Sequence, residues 1–288
     1  MIDLQIHSTY SDGSLTPRQL VEEAKKINLL AIALTDHDTV EGIPEFLKAG
    51  TESQLLPIPG VEISAQAELP PNGHLHILGL FIDHNSQELK TNLEFLKFHR
   101  NQRAAKIIER LNELGVDISL EELQQEAAEG SIGRPHIAKI LLRKKEVSTL
   151  QTAFEKYIGK GKPAFVEKIK FPEQKAIQLI KKAGGLAILA HPHLMNYPTF
   201  SDMQRKITSL KELGLDGFEA YYSGLPESYT SQLIRLAKKL SLLISGGSDF
   251  HGKNKEGIFM GIGAGDLQIP DSVYYNLVDR WEKLKSSL

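Results

Sequence analysis

The sequence predicts an α/β fold built on a mostly parallel sheet, closed or open, with a helical insertion in its middle. Three observations predict it. Short runs rich in Leu, Ile and Val alternate with amphipathic helical stretches toward both ends of the chain. Between about 86 and 160 that alternation gives way to long charged helical patterns. Nearly every expected strand, finally, stops at a His, Asp or Glu.

The segments LQIH, LLAIALTD, LLPIPGVEIS and HLHILGLFI read as the first four strands, each bounded by turn residues. Between the first two, Thr16 is placed to cap a helix with Pro17 at its first position and apolar residues at helical spacing, which makes a βαβ unit. Within the middle region, LEFLKFHRNQRAAKIIERLNEL reads as a long helix, and Ser119 with Glu122 forms a capping box opening another. The strand pattern then resumes with KPAFVEKI, GGLAILAHPH, LDGFEAYYS and SLLISGGSDFH. Helices are expected between them near Pro172–Ala183, Asp202–Leu213 and Glu227–Leu240.

Composition narrows the chemistry. With 34 Lys+Arg against 36 Asp+Glu among 288 residues the net charge is −2, so no global field draws the chain to nucleic acid, and no module for sequence-specific DNA binding is recognisable. The longest apolar stretch, Leu29 to Leu34, is far short of the roughly 20 residues a membrane helix needs. The opening MIDLQIHS puts Asp3 and His7 where a signal peptide carries basic and then apolar residues, so a cytoplasmic protein is expected. Cysteine is absent, hence any metal must be held by nitrogen and oxygen.

The histidines are therefore the informative residues. His7 closes the first strand, Asp36 and His37 follow the second, Glu62 lies on the third, and His74 and His76 lie on the fourth. His191 and His193 follow LAILA, and Asp249 and His251 follow LLISGG. In a (β/α) barrel the strand ends share one mouth, so these side chains, distant in sequence, become neighbours. Crowded imidazoles and carboxylates repel one another or shift their pKa values unless a cation satisfies them, and Mn2+, Fe2+ or Zn2+ suits such donors. His84 and His99 have only structural readings. Farther along, Gly133-Arg134-Pro135-His136 opens a helix whose free N–H groups, with the planar Arg134 fork beside them, suit an anion. The following run of Lys139, Arg143, Lys144 and Lys145 reads as a solvated face. Tyr221 and Tyr222, after the strand DGFEA, reach the mouth either to stack on a base or simply to pack.

Taken in order, DLQIHSTYSDG, IALTDHDTVEG, GVEIS, HLHILG, AHP and GSDFH resemble the motif series of the polymerase and histidinol phosphatase (PHP) family. The resemblance implies a distorted (β/α)7 barrel, here residues 1–85 and 160–288, with a helical insertion domain at 86–159. It implies two or three divalent metal ions: His7, Glu62 and Asp249 for the first, Asp12, His37 and His251 for the second, and Glu62, His76 and His191 for the third, with Glu62 bridging. Asp36 and Asp38 would orient His37 or nearby waters, and His193, His136 or a metal-bound water would protonate the leaving group. Arg134 and His136 would contact substrate phosphate. The implied activity is hydrolysis of a phosphate monoester by a metal-activated hydroxide, on the 5′-phosphate of nucleoside 3′,5′-bisphosphates or on short RNA 5′ ends.

At one position the chain departs from the pattern. The first family motif reads His-x-His, and here Gln5 takes the first place. A glutamine carbonyl is a neutral oxygen donor, so the first metal is expected to be held more weakly or through water, with the remaining ligands retaining it. The alternatives are another small phosphoester such as histidinol phosphate as substrate, or a metal-binding module weakened by Gln5.

Overall fold

The computed structural model describes residues 1–66, 74–127 and 132–286. Its elements run β1 (Ile2–Ile6), α1 (Pro17–Lys26), β2 (Ala31–Leu34), α2 (Ile43–Glu52), β3 (Leu56–Gln66), β4 (Leu75–Leu80), α3 (Gln87–Glu113), α4 (Leu120–Ala127), α5 (Arg134–Arg143), α6 (Leu150–Ala153), β5 (Phe171–Pro172), α7 (Glu173–Lys182), β6 (Leu186–Leu189), α8 (Phe200–Glu212), β7 (Gly217–Tyr222), α9 (Glu227–Leu240), β8 (Leu243–Gly247) and α10 (Asp271–Lys285). Local chemistry accounts for the starts of these helices. Thr16 and Gln19 form a reciprocal capping box on α1, and Ser119 and Glu122 form another at α4.

Seven strands follow one another in the order β1-β2-β3-β4-β6-β7-β8, and the ring is nearly closed where Ile6 bridges Phe250 just beyond β8. Asp3 fastens that seam, because its carboxylate accepts from the Ser248 amide and hydroxyl and from the Gly261 amide. The pairing is parallel except at β4, which runs antiparallel to both β3 and β6. That reversal matters for the site: His76 stands near the start of β4, and only an antiparallel strand brings its start to the mouth where parallel strands end. Contrary to expectation, KPAFVEKI is not a strand; residues 165–170 carry no regular structure, and sheet pairing resumes only at the short β5 beside β3. The polar residues within KPAFVEKIK have uses of their own in a neighbouring cavity, described below.

Apolar residues divide into separate cores. One lies between the sheet and α1, α2, α7, α8 and α9, with Phe46, Ile63, Ile177 and Phe218 fully or nearly fully buried. A smaller one joins β1, β2, β4 and β6 to α10 through Val273 and Leu277. The third belongs to the helical region and gathers Ile107, Leu111, Ile137, Leu141 and Ile158. Helix α3 takes part in two of them: Leu89, Leu93 and Leu96 pack on the barrel, whereas Ala104, Ile107 and Leu111 pack on α4 and α5. Since Ala164 also lies in the helical core, that core runs past the expected limit at residue 159.

Candidate metal centre

The sheet delivers His7, His37, Glu62, His76, His191, Asp249 and His251 to one mouth, and the loop after β1 adds Asp12. Glu62, fully buried on β3, is the hub. Its Oε1 lies 2.5 Å from His76 Nδ1 and 3.1 Å from His191 Nε2, and its Oε2 lies 3.1 Å from His7 Nε2 and 3.5 Å from His37 Nδ1. Around it, His7 Nε2 is 3.3 Å from Asp249 Oδ1, His251 Nε2 is 3.1 Å from Asp12 Oδ1, and the His7 and His251 rings stack 4.1 Å apart. Asp12 is also 3.8 Å from His37.

Electrostatics point the same way. Although burial opposes it, His37 and His76 hold Glu62 ionised well below the usual carboxylate range; His251 and His37 do the same for Asp12, and His251 and His7 for Asp249. Burial pushes the imidazoles the other way, taking His37 down to about 3 and lowering His76. His7 and His251 stand apart: burial lowers both, but Asp249 and Glu62 hold His7 well above its ordinary value, and Asp12 and Asp249 raise His251. Several ring nitrogens, both on His7 and Nδ1 on His37 and on His191, are buried without a hydrogen-bond partner. Ionised carboxylates beside buried imidazoles form a nitrogen and oxygen donor set suited to a divalent metal, whose binding would displace the protons that His7 and His251 hold. Within these residues, three groups converge closely enough to hold an ion: His7, Asp12, His37 and His251; His37, Glu62 and His76; and His7, Glu62 and Asp249.

The backbone is bent to make this geometry. Asp38, His191 and Asp249 all have positive φ, of 54°, 28° and 55°. Such conformations cost on the order of 1–3 kcal/mol each and cluster where side chains must be aimed.

Several expected roles change. Asp36 accepts from the Ser8 amide and hydroxyl and from Ser11, so its hydrogen bonds hold the loop carrying Asp12 and none goes to His37. Asp38 likewise faces away from His37, toward Ser64, Arg100 and Lys168. The Tyr222 hydroxyl donates to Asp249 at 2.9 Å and its buried ring packs on His193, which favours packing over base stacking for Tyr222. Lys255, not anticipated from the sequence, reaches the same carboxylate oxygen at 2.6 Å. Gln5 is fully buried beside Glu219; placed with its nitrogen toward that carboxyl it donates at 2.9 and 3.0 Å and turns its oxygen toward Glu62. His193 packs on the Tyr222 ring and is lowered by burial to about 4. It is therefore neutral at pH 7.

Next to the centre is a cavity of about 590 Å³. It is lined by Asp12, His37, His74 and His76, by the cations Arg100, Arg103, Arg134, Lys168 and Lys170, and by Phe154 and Phe165. Arg134 lies over both phenyl rings and donates to the Ile158 carbonyl, and Arg103 donates to the Val166 carbonyl. Burial, then the other arginines, brings Arg103 down to about 10, a sign of crowded positive charge. His136 is buried behind them; its Nδ1 accepts from the Gly133 amide and so caps α5. The run after it is paired outward: Arg143 with Glu126 and Lys144 with Glu122, which keeps those cations from the cavity.

Residues 3–183 match the PHP domain family. The chain belongs to the PHP family. A 5′-3′ exoribonuclease from Haemophilus influenzae is 37% identical over 86% of this chain and 89% of its own length. A 3′,5′-nucleoside bisphosphate phosphatase from Chromobacterium violaceum is 29% identical over 89% of each chain. In three dimensions, a solved structure from Bifidobacterium adolescentis described as a metal-dependent phosphoesterase superposes with a TM-score of 0.84 at 28% identity, covering 97% of this chain and 96% of that one. This PHP protein is a metal-dependent phosphoesterase, and its histidine and carboxylate cluster offers groups able to hold a metal ion. Among the described residues no helix is long and apolar enough to cross a membrane.

Proposed function

We propose that the protein removes the 5′-phosphate of a nucleotide that also carries phosphate on its 3′ side, whether free, as in a nucleoside 3′,5′-bisphosphate, or as the first phosphodiester of a short RNA. The observation that carries this reading is one cavity whose lining combines metal-ligating side chains, Asp12, His37 and His76, with a set of cations, Arg103, Arg134, Lys168 and Lys170. A single phosphate needs only the first. The relatives are named for cutting RNA from the 5′ end and for removing phosphate from a nucleoside 3′,5′-bisphosphate, so both act on nucleotide phosphate esters.

Two or three divalent ions, Mn2+, Fe2+ or Zn2+, held by His7, Asp12, His37, Glu62, His76, His191, Asp249 and His251 would supply Lewis acidity to the phosphoryl oxygens and to the attacking water. The chain's own residues do the rest. Glu62 fixes four imidazoles in one orientation, Tyr222 and Lys255 hold Asp249, and Asp36 fixes the Asp12 loop. Arg134 and its neighbours bind the distal phosphate, and Phe154 and Phe165 offer apolar faces to the nucleoside. The leaving 5′-oxygen needs a proton; burial lowers both His136 and His193, so either would serve as the acid only if substrate phosphate raised its pKa.

The comparison that tests this is kcat/KM for adenosine 3′,5′-bisphosphate against adenosine 5′-monophosphate. A preference of about 30-fold or more for the bisphosphate is expected from one added charge-assisted contact pair. Equal values would remove the distal site from the account.

The same cations predict a pH dependence. Burial, then Arg100, brings Lys168 down to about 8, with Asp38 opposing and Lys170 adding to the fall. As pH rises through about 8 Lys168 loses its positive charge, so affinity for the distal phosphate is present below that pH and lost above it. KM for the bisphosphate should therefore climb several-fold between about pH 7 and 9, roughly the effect of one surface-facing charge. In the Lys168→Arg variant, whose side chain stays charged, KM should stay flat over that range.

A further inference from the structure

Asp38 follows His37 directly, yet it takes no part in the ligand cluster. Its carboxylate is fully buried past the end of β2, alongside β3, with the Asp38 amide donating to the Glu62 carbonyl at 3.0 Å. One carboxylate oxygen accepts from the Ser64 amide at 2.9 Å. The other accepts from Arg100 and from Lys168, the latter at 2.9 Å, and Lys168 also donates to the Ser64 hydroxyl. Lys168 and Arg100 hold Asp38 ionised although burial opposes it.

The two cations come from the two places where the chain passes between barrel and helical region. Arg100 sits on α3 between Leu96, packed on the barrel, and Ala104, packed in the helical core. Lys168 sits on the returning segment, between Ala164 in the helical core and Phe171 in the barrel core. Both line the cavity, and their neighbours Arg103 and Lys170 line it too. A single carboxylate anchored to β3 two residues from Glu62 thus grips both crossings of the helical region.

We propose that Asp38 is a positioning residue: through Arg100 and Lys168 it sets the cationic wall at a fixed separation from the ligand cluster, and so matches the cavity to the spacing between the 5′- and 3′-phosphates of a nucleotide. This rests on the phosphate reading of the cavity given above. A carboxylate holding two cations in low dielectric is geometrically stiff, because releasing either one leaves a buried charge unpaired. Misplacement of a positioning wall by about 1 Å costs up to about 100-fold in turnover efficiency.

The experiment compares wild type, Asp38→Asn, Lys168→Met and the double variant on adenosine 3′,5′-bisphosphate. Asp38→Asn should raise KM about 10-fold or more while kcat changes less than about 3-fold, a split that general loosening of the metal cluster would not give. The double variant should be no worse than the poorer single one, because both break the same clamp. Amide hydrogen exchange across residues 163–170, measured without substrate, should rise in Asp38→Asn and in Lys168→Met alike. Unchanged exchange together with unchanged KM, or KM effects that multiply in the double variant, would overturn the clamp. A wild type with no bisphosphate turnover would overturn the phosphate reading instead, and exchange in Lys168→Met still decides the clamp if Asp38→Asn does not fold.

Discussion

Replacing Glu62 with glutamine is expected to lower kcat/KM for adenosine 3′,5′-bisphosphate about 1000-fold or more, even at saturating Mn2+, because the loss of several kcal/mol of charge stabilisation converts to that factor. Glu62 touches four imidazoles: His7, His37, His76 and His191 all lie within 3.5 Å of its two oxygens. The substituted amide would keep the shape of Glu62 but lose its negative charge and replace one acceptor oxygen with an N–H that cannot ligate a metal. Metal content measured on the purified variant should fall in parallel, while the barrel core, which Glu62 does not help to pack, keeps the far-ultraviolet spectrum unchanged. Full metal content with full activity would mean that Glu62 is not the hub.

Arg134→Ala should raise KM for the bisphosphate about 30- to 100-fold, the range for truncating a partly buried arginine that binds phosphate through two hydrogen bonds. Turnover of adenosine 5′-monophosphate should change far less. Arg134 is held in place before substrate arrives, by the Ile158 carbonyl and by stacking on Phe154 and Phe165, so its remaining N–H groups face the cavity preoriented. Arg134→Lys should therefore fail to restore binding, since an ammonium lacks the planar fork and the stacking face. Equal KM values in wild type and Arg134→Ala would remove Arg134 from the substrate site.

How legible the fold and the site are in the sequence depends on the kind of signal. His7, His37, Glu62, His191, Asp249 and His251 can be placed together because each lies at or near the end of a strand, and strand ends share a mouth in any closed sheet. His76 joins them although its strand runs the other way; a parallel and an antiparallel strand look alike in one dimension. The strand expected at KPAFVEKI failed because its alternation of apolar and charged residues serves two masters: Ala164 and Val166 pack inward while Glu167, Lys168 and Lys170 line the cavity. Asp36 and Asp38 could not be told apart from residues acting on the ligands, since their partners Ser8, Ser11, Arg100 and Lys168 are 25 to 130 positions away. The role of Tyr222 was hidden for the same reason, as it reaches Asp249 from a neighbouring strand, and that of Lys255 because a loop lysine carries no periodic signal. Gln5 was recognisable as a departure, but its approach to Glu219 depends on strand register.

The measurement that tests the central claim most directly is phosphate release from adenosine 3′,5′-bisphosphate by chelator-stripped protein, before and after adding back Mn2+. The account predicts negligible release from the stripped, folded protein and its return on addition of the ion, with Gln5 tolerated at the first position. Release that survives stripping, or a folded protein that stays inert with Mn2+, Fe2+ and Zn2+ alike, would contradict it.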